Sequence, residues 1–428
     1  MKWPEKLLHF IWRYKLINQN DLITTQGEPL RILNFGQYNM HAGADFELSK
    51  IQINNEIWVG NIELHKSSTH WKDHQHHLDP RYNSTILHVV WENFEGIKIK
   101  RSDGTEIPTL VLKNFVDESL LLKYEQLMQN EQWIACESHL PRISGITVNN
   151  WLDRLVVERL ESKYEMIKKW ATIVKYSWEH IQFIALGRAF GMKVNADAYE
   201  SLFLYTNPNL IYKFASEPSK LEAMLFGSAG FLNTTKTDED YWESLKKEYL
   251  YLQCLYELRE MSPLEWKFLR MRPHNFPTFR LAQLCALFHK RVHWFEFIQN
   301  STFEETILEF SNIQVSEYWS NHFHFNKLSK THSTALTQAF IHHVILNAFV
   351  PILFAYGKYV GNEELQQKAL YWLQLLPVEK NSIVNAYEAR MIEASNASES
   401  QALLHLFKHY CTPKRCLDCA IGYAILKR

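Results

Sequence analysis

Near residue 116 the hydrophobic period of this 428-residue chain changes from two residues to 3.6, and it does not change back. That switch predicts an α+β N-terminal module followed by a large all-α region. Upstream of it, residues 5–17 read as a helix. The runs "EPLRILNF", "FELSKIQI", "IWVGNIELH", "STILHVVWE", "GIKIKR" and "PTLVLK" then read as strands, with turn signals at Asn54-Asn55, Asp79-Pro80 and "SDGT". Downstream, "VNNWLDRLVVERLESKYEMIKKWA" is representative, with asparagine caps, Leu152, Leu155, Val156 and Leu160 on one face and charges opposite. The expected domains are 1–115, an α+β module with an antiparallel or mixed sheet and a metal site, and 116–428, helical and ending in a cysteine-rich segment. A further boundary is expected in "FLNTTKTDEDY" near residue 235.

A formal net charge of −1 provides no global positive field, so a DNA or RNA partner has to be met by a local patch. Six cysteines are too sparse for a disulfide framework. The start "MKWPEKLLHFIWRYKLI" lacks the apolar core and cleavage site of a signal peptide, which leads to the expectation of a cytoplasmic, reducing setting. The longest apolar stretch, "AFIHHVILNAFVPILFAY", holds two histidines and a proline, so a buried helix is expected and no membrane partner. Protein partners leave no mark in the sequence.

The hairpin "GADFELSKIQINNEIWVGNIELH", residues 43–65, offers two registers. A two-residue Asn-Asn loop pairs Ile53 with Glu56 and Ile51 with Trp58. A three-residue loop pairs Ile53 with Ile57 and Ile51 with Val59, one consistent apolar face, and is the expected register. Continued outward, it sets Glu47 opposite Glu63 and Asp45 opposite His65 on the core side. Carboxylates are costly to bury unless paired, hydrogen-bonded or bound to metal. This arrangement resembles the PD-(D/E)XK nucleases, in which a helix leads into an antiparallel meander with an Asp on one strand and an acid-x-Lys triplet on the next. The resemblance implies a restriction-endonuclease-like sheet, Mg²⁺ or Mn²⁺ on Asp45 and Glu63, and His65 orienting the attacking water. The chain departs from that pattern at two positions: His65 stands where Lys is usual, and Ala44 precedes Asp45 where the pattern has Pro.

After the hairpin, six histidines, at 65, 70, 74, 76, 77 and 88, fall within 24 residues. Imidazole at that density is what Zn²⁺ and Mn²⁺ sites use. His74, His76 and Asp79 are expected to be presented together by one loop, whereas His88, on an apolar strand, is expected in the core. The segments "GADF", "GNIELH", "HWKDHQHHLDPRYNSTILHVV", "LDRLVVERLESK", "MRPHNFPTFRLAQL" and "CTPKRCLDCAIG" resemble the bacterial domain-of-unknown-function family numbered 2851, over nearly the whole chain. That resemblance implies membership and no activity.

Two other stretches carry chemistry. "FLRMRPHNFPTFRLAQL" sets Arg270, Arg272 and Arg280 around a turn before a helix, which suits phosphate or another anion, or else ion pairs with neighbouring acids. The terminal "KHYCTPKRCLDCAIGYAILKR" spaces Cys411, Cys416 and Cys419 as C-x4-C-x2-C, with Lys414 and Arg415 expected to favour thiolate. His409 or Cys136 would be the fourth ligand, for zinc in the first case and for zinc or a [4Fe–4S] cluster in the second. Three functions remain open: a metal-dependent nuclease or phosphodiesterase using Asp45, Glu63 and His65, a non-catalytic interaction or nucleic-acid-binding protein with structural metal sites, and a zinc hydrolase built on His74, His76 and Asp79.

Overall fold

A computed structural model describes residues 3–94, 98–233 and 239–427. It has the expected class, a mixed six-stranded sheet near the N-terminus followed by a large helical region. The strands are β1 Leu30–Asn34, β2 Gln37–Tyr38, β3 Phe46–Ile53, β4 Glu56–Ser67, β5 Thr85–Glu92 and β6 Thr109–Val111. Their order is β1-β3-β4-β5-β6, with β2 beside β3. β1, β3 and β4 form an antiparallel meander, whereas β5 and β6 run parallel to β4. β5 is buried from Thr85 to Trp91, as expected of a parallel strand covered on both faces. The strand expected at "GIKIKR" begins outside the described residues, and its remainder contributes one isolated bridge, Lys100 to Glu106. The boundary expected near residue 235 also lies outside them.

The hairpin takes the register the apolar pattern disfavoured. Ile53 pairs with Glu56 and Ile51 with Trp58 around a two-residue Asn54-Asn55 turn, with Asn54 at φ 52°. Ile57 and Val59 are consequently exposed. A bulge between Phe46 and Ser49, with Leu48 at φ 56°, then shifts the register so that Phe46 pairs with Ile62. Glu47 points to solvent instead of facing Glu63. A bulge changes which alternate residues face inward, so period-two counting from the turn cannot carry past it.

The helix α1, Glu5–Arg13, buries Leu7, Leu8, Phe10, Ile11 and Trp12. Trp12 Nε1 donates to the Phe35 carbonyl at 3.1 Å, which satisfies the indole within the core. Two compact units divide the chain: residues 1–151 with 407–428, and residues 152–406. The first unit thus gathers the sheet, the helix Glu118–Gln129 and the terminal cysteine segment, although 116–151 and 407–428 read in sequence with the helical region.

In the second unit, Gln338–Val360 is long and apolar enough to span a bilayer, but 72% of its most apolar window is buried inside the protein. Pro351 lies just after a π-helical turn, Ile345–Phe349, where the missing proline N–H requires the helix to readjust. The same unit holds a capping box at Thr302, whose hydroxyl accepts from Glu305 N while the Glu305 carboxylate accepts from Thr302 N. Thr302→Ala should lower the unfolding free energy by about 1 kcal/mol, read from the denaturant midpoint.

Candidate metal centre

Glu63 and His65 lie two residues apart on β4 and so face the same way. Parallel pairing sets His88 of β5 opposite Glu63. The crossover between these strands folds over that face. It contains the single-turn helix His70–Asp73, then Gln75 at φ 62°, then a 3₁₀ turn over His76–Leu78. The left-handed residue reverses the chain, leaving His74 exposed while His76 turns inward.

The histidine atoms converge. His65 Nε2 lies 3.2 Å from His74 Nδ1 and 3.5 Å from Glu63 Oε1. The same Glu63 oxygen is 3.3 Å from His76 Nε2. One ring nitrogen from each of His65, His74 and His76 lies within 4.8 Å of the other two. A tetrahedral metal with 2.0–2.1 Å bonds separates its ligand atoms by about 3.3 Å, so the histidine trio suits one ion, with the Glu63 oxygen beside His65 and His76. His65 Nδ1 faces His88 Nε2 at 2.8 Å, which fixes the imidazole and leaves its Nε2 side toward the centre. His76 stacks on Tyr82 at 3.8 Å, and the fully buried Trp71 sets its ring against His76, His88 and Tyr82.

The two acids brace one another through the backbone. Glu63 Oε2 accepts from Asp45 N at 3.0 Å, and Asp45 Oδ2 accepts from Leu64 N at 2.9 Å. The bulged register makes this exchange, which brings Asp45 beside Glu63 and not opposite His65. Glu63 is only 5% exposed and His65 only 1%. Burial, and secondarily the Asp45 carboxylate, push the Glu63 carboxyl up to about 9. Burial also raises Asp45. It lowers His65 well below its usual range, assisted by His88, and lowers His88 to about 3. A protonated glutamic acid beside neutral imidazoles is a site prepared to exchange a proton for a cation.

Sequence reading missed the contribution of α1. Glu5 and His9, one helical turn apart, both reach this end of the sheet. His9 Nε2 lies 3.5 Å from Asp45 Oδ2, and Glu5 Oε2 accepts from Lys66 N at 3.2 Å. The signal available was the i, i+4 pair in "EKLLH", polar residues interrupting an apolar helix. His88 is buried as expected, but it is joined to the centre through His65.

Other expected site residues lie apart from this centre or in different roles. Asp79 does not join His74 and His76. It caps the 3₁₀ turn Pro80–Tyr82 and binds Arg81, with Arg81 Nε 2.9 Å and Nη2 2.6 Å from Oδ2. Asp79→Ala should therefore leave divalent-metal affinity within about twofold of wild type by calorimetry, whereas any true ligand costs far more. Arg280 is buried, its guanidinium donating to Asn275 and Gln283 and lying 3.5 Å over the Phe340 ring. It is thus engaged internally, while Arg270 and Arg272 are exposed. The Lys414 ammonium, which donates to the Met128 and Asn130 carbonyls at 2.8 and 2.9 Å, does draw the Cys416 thiol downward as expected, but burial outweighs it. Burial raises Cys416 to about 12 and lifts Cys136 and Cys419 above the usual thiol range.

The family described as "Protein of unknown function (DUF2851)" matches residues 5–382. The chain belongs to the DUF2851 family. The match includes α1, the sheet and every residue of the histidine–carboxylate centre, and stops before the terminal cysteines. No curated protein and no solved structure matches this DUF2851 chain.

Proposed function

We propose that the chain is a metal-dependent phosphodiesterase acting on nucleic acid, with its metal held by His65, His74, His76 and Glu63. The observation that carries the reading is the convergence of His65 Nε2, His74 Nδ1, His76 Nε2 and Glu63 Oε1 beside the braced Asp45. Three imidazoles favour Zn²⁺ or Mn²⁺ over the harder Mg²⁺. A bound ion of this kind supplies a water acidic enough to ionise near neutral pH and positive charge for a phosphoryl oxygen. The exposed His74 leaves the centre open on one side. His88 holds the His65 ring, and Asp45 keeps the Glu63 strand in place through Leu64 N. The phosphodiester class is supported by the helix-led antiparallel meander with Asp45 before β3 and Glu63-x-His65 on β4.

The test is hydrolysis of bis(4-nitrophenyl) phosphate and of single- and double-stranded DNA and RNA, with Mn²⁺ or Zn²⁺ added to chelator-treated protein. Metal-dependent cleavage lost in His74→Ala is expected, because His74 is exposed and its removal spares the core. Cleavage unchanged in His74→Ala, or absent with every substrate despite bound metal, contradicts the reading.

Metal uptake should release protons. Metal-free Glu63 carries its proton until the pH approaches 9, and a metal must displace it. Affinity should therefore rise with pH toward 9, by up to roughly tenfold per unit for one released proton. Calorimetry in buffers of different ionisation enthalpy measures that proton directly.

A further inference from the structure

A second cluster of donors lies in the same unit, in residues the proposed hydrolytic centre does not use. Cys136 sits just before the 3₁₀ segment Glu137–Arg142. The C-terminal segment returns beside it. Trp133 stacks on Phe407 at 5.0 Å, Trp151 meets Tyr410 edge-on at 5.3 Å, and Lys414 is tied to the 128–130 carbonyls. The thiols of Cys411, Cys416 and Cys419 all lie within electrostatic reach of Cys136, and that of Cys419 is within reach of Cys416. Cys136, Cys416 and Cys419 are buried free thiols.

The backbone around them is shaped for sulfur. The N–H groups of Ile421 and Gly422, at the start of the following helix, offset part of the rise that burial imposes on the Cys419 thiol. Gly422 cannot be replaced without moving the loop, because a Cβ there would stand 2.0 Å from the Cys416 carbonyl oxygen. That close approach brings the start of the helix Ala420–Lys427 against the Cys416 turn. Two kinds of metal centre take four thiolates, and they differ in how closely they gather the sulfurs. A lone zinc ion with bonds near 2.3 Å holds its sulfurs about 3.8 Å apart. Among the described residues, the set of three donor atoms all within 4.8 Å is the histidine trio, and no three cysteines form one.

The geometry points to a [4Fe–4S] cluster held by Cys136, Cys411, Cys416 and Cys419, fastening the C-terminal segment to the strand-bearing unit. A cubane places an iron at each thiolate and sets the four sulfurs further apart than a single ion does, and Cys₄ is its ordinary ligand set. Backbone N–H groups near a ligating sulfur are the usual surroundings of such clusters. Each thiol gives up its proton on binding iron, as ligation requires.

The experiment is anaerobic purification of the full chain, with reconstitution by ferrous iron and sulfide, followed by iron, zinc and acid-labile sulfide analysis. About four irons and four sulfides per chain are expected, with a broad visible absorption that bleaches on reduction. Cys136→Ser should lower the iron content by at least about tenfold, while Cys254→Ser, at an exposed site outside this unit, should retain it. One zinc per chain without sulfide, no metal after reconstitution, or iron unchanged in Cys136→Ser would each overturn the assignment. The wild-type analysis does not depend on any variant folding.

Discussion

Glu63→Gln should lower the affinity for Mn²⁺ or Zn²⁺ by roughly 100-fold or more, while leaving the metal-free protein at least as stable as wild type. The amide keeps the size of the carboxyl and can still accept from Asp45 N through its oxygen. It removes the charge that a cation needs at 3.3–3.5 Å from two imidazoles. Loss of one ligand typically exceeds the 10–100-fold effect of an outer partner. The stability side follows from linkage. The Glu63 carboxyl holds its proton to about 9 in the folded state but ionises near 4.5 when unfolded. Between those values the folded state binds more protons, so metal-free wild type loses stability as pH rises through that window. Glu63→Gln has no such proton to lose and should show a flatter profile from pH 5 to 9. The buried histidines act on the other limb. His88 is held neutral down to about 3, so its share of stability is present above pH 6.5 and is lost as pH falls below it. Chemical denaturation across pH, with a chelator present, reads both limbs. A Glu63→Gln profile as steep as wild type above pH 6 would show that the carboxyl is already ionised in the folded protein.

Trp71→Ala should destabilise the strand-bearing unit by about 3–5 kcal/mol, the range for truncating a fully buried large aromatic. Trp71 is wholly enclosed and packs with Ala44, Tyr82, Ile99 and Ile107. Its indole N–H donates to the Lys100 carbonyl at 2.9 Å, so truncation also leaves that carbonyl without its donor. The ring lies under His76 and His88, so metal affinity should fall together with stability, although Trp71 offers no ligand. Urea unfolding gives the first quantity and calorimetry the second. Loss of stability below 1 kcal/mol would mean that the crossover does not pack over the sheet as described.

The fold class was legible because burial of alternate residues and of every third or fourth residue leaves different marks, and five of the six strands expected appear, although the hairpin takes the other register. The centre was legible in part for the same reason. Glu63 and His65 share a face by parity alone, and His74 and His76 follow within one crossover. What the sequence hid was each place where the chain departs from regular geometry. The bulge at Leu48 brings Asp45 beside Glu63, and the left-handed Gln75 turns His76 inward after the exposed His74. Glu5 and His9 join from a helix some 40 residues upstream of the hairpin end, and only tertiary packing relates them to it. Cys136 was one of two choices for a fourth ligand, because no spacing rule spans the 275 residues to Cys411.

The most direct test of the histidine–carboxylate centre is anomalous diffraction from crystals of the chelator-treated chain soaked in Mn²⁺ or Zn²⁺. The account predicts a peak about 2.0–2.3 Å from His65 Nε2, His76 Nε2, His74 Nδ1 and Glu63 Oε1. A peak on Asp79, peaks only at surface histidines, or an unoccupied centre at saturating metal would contradict it.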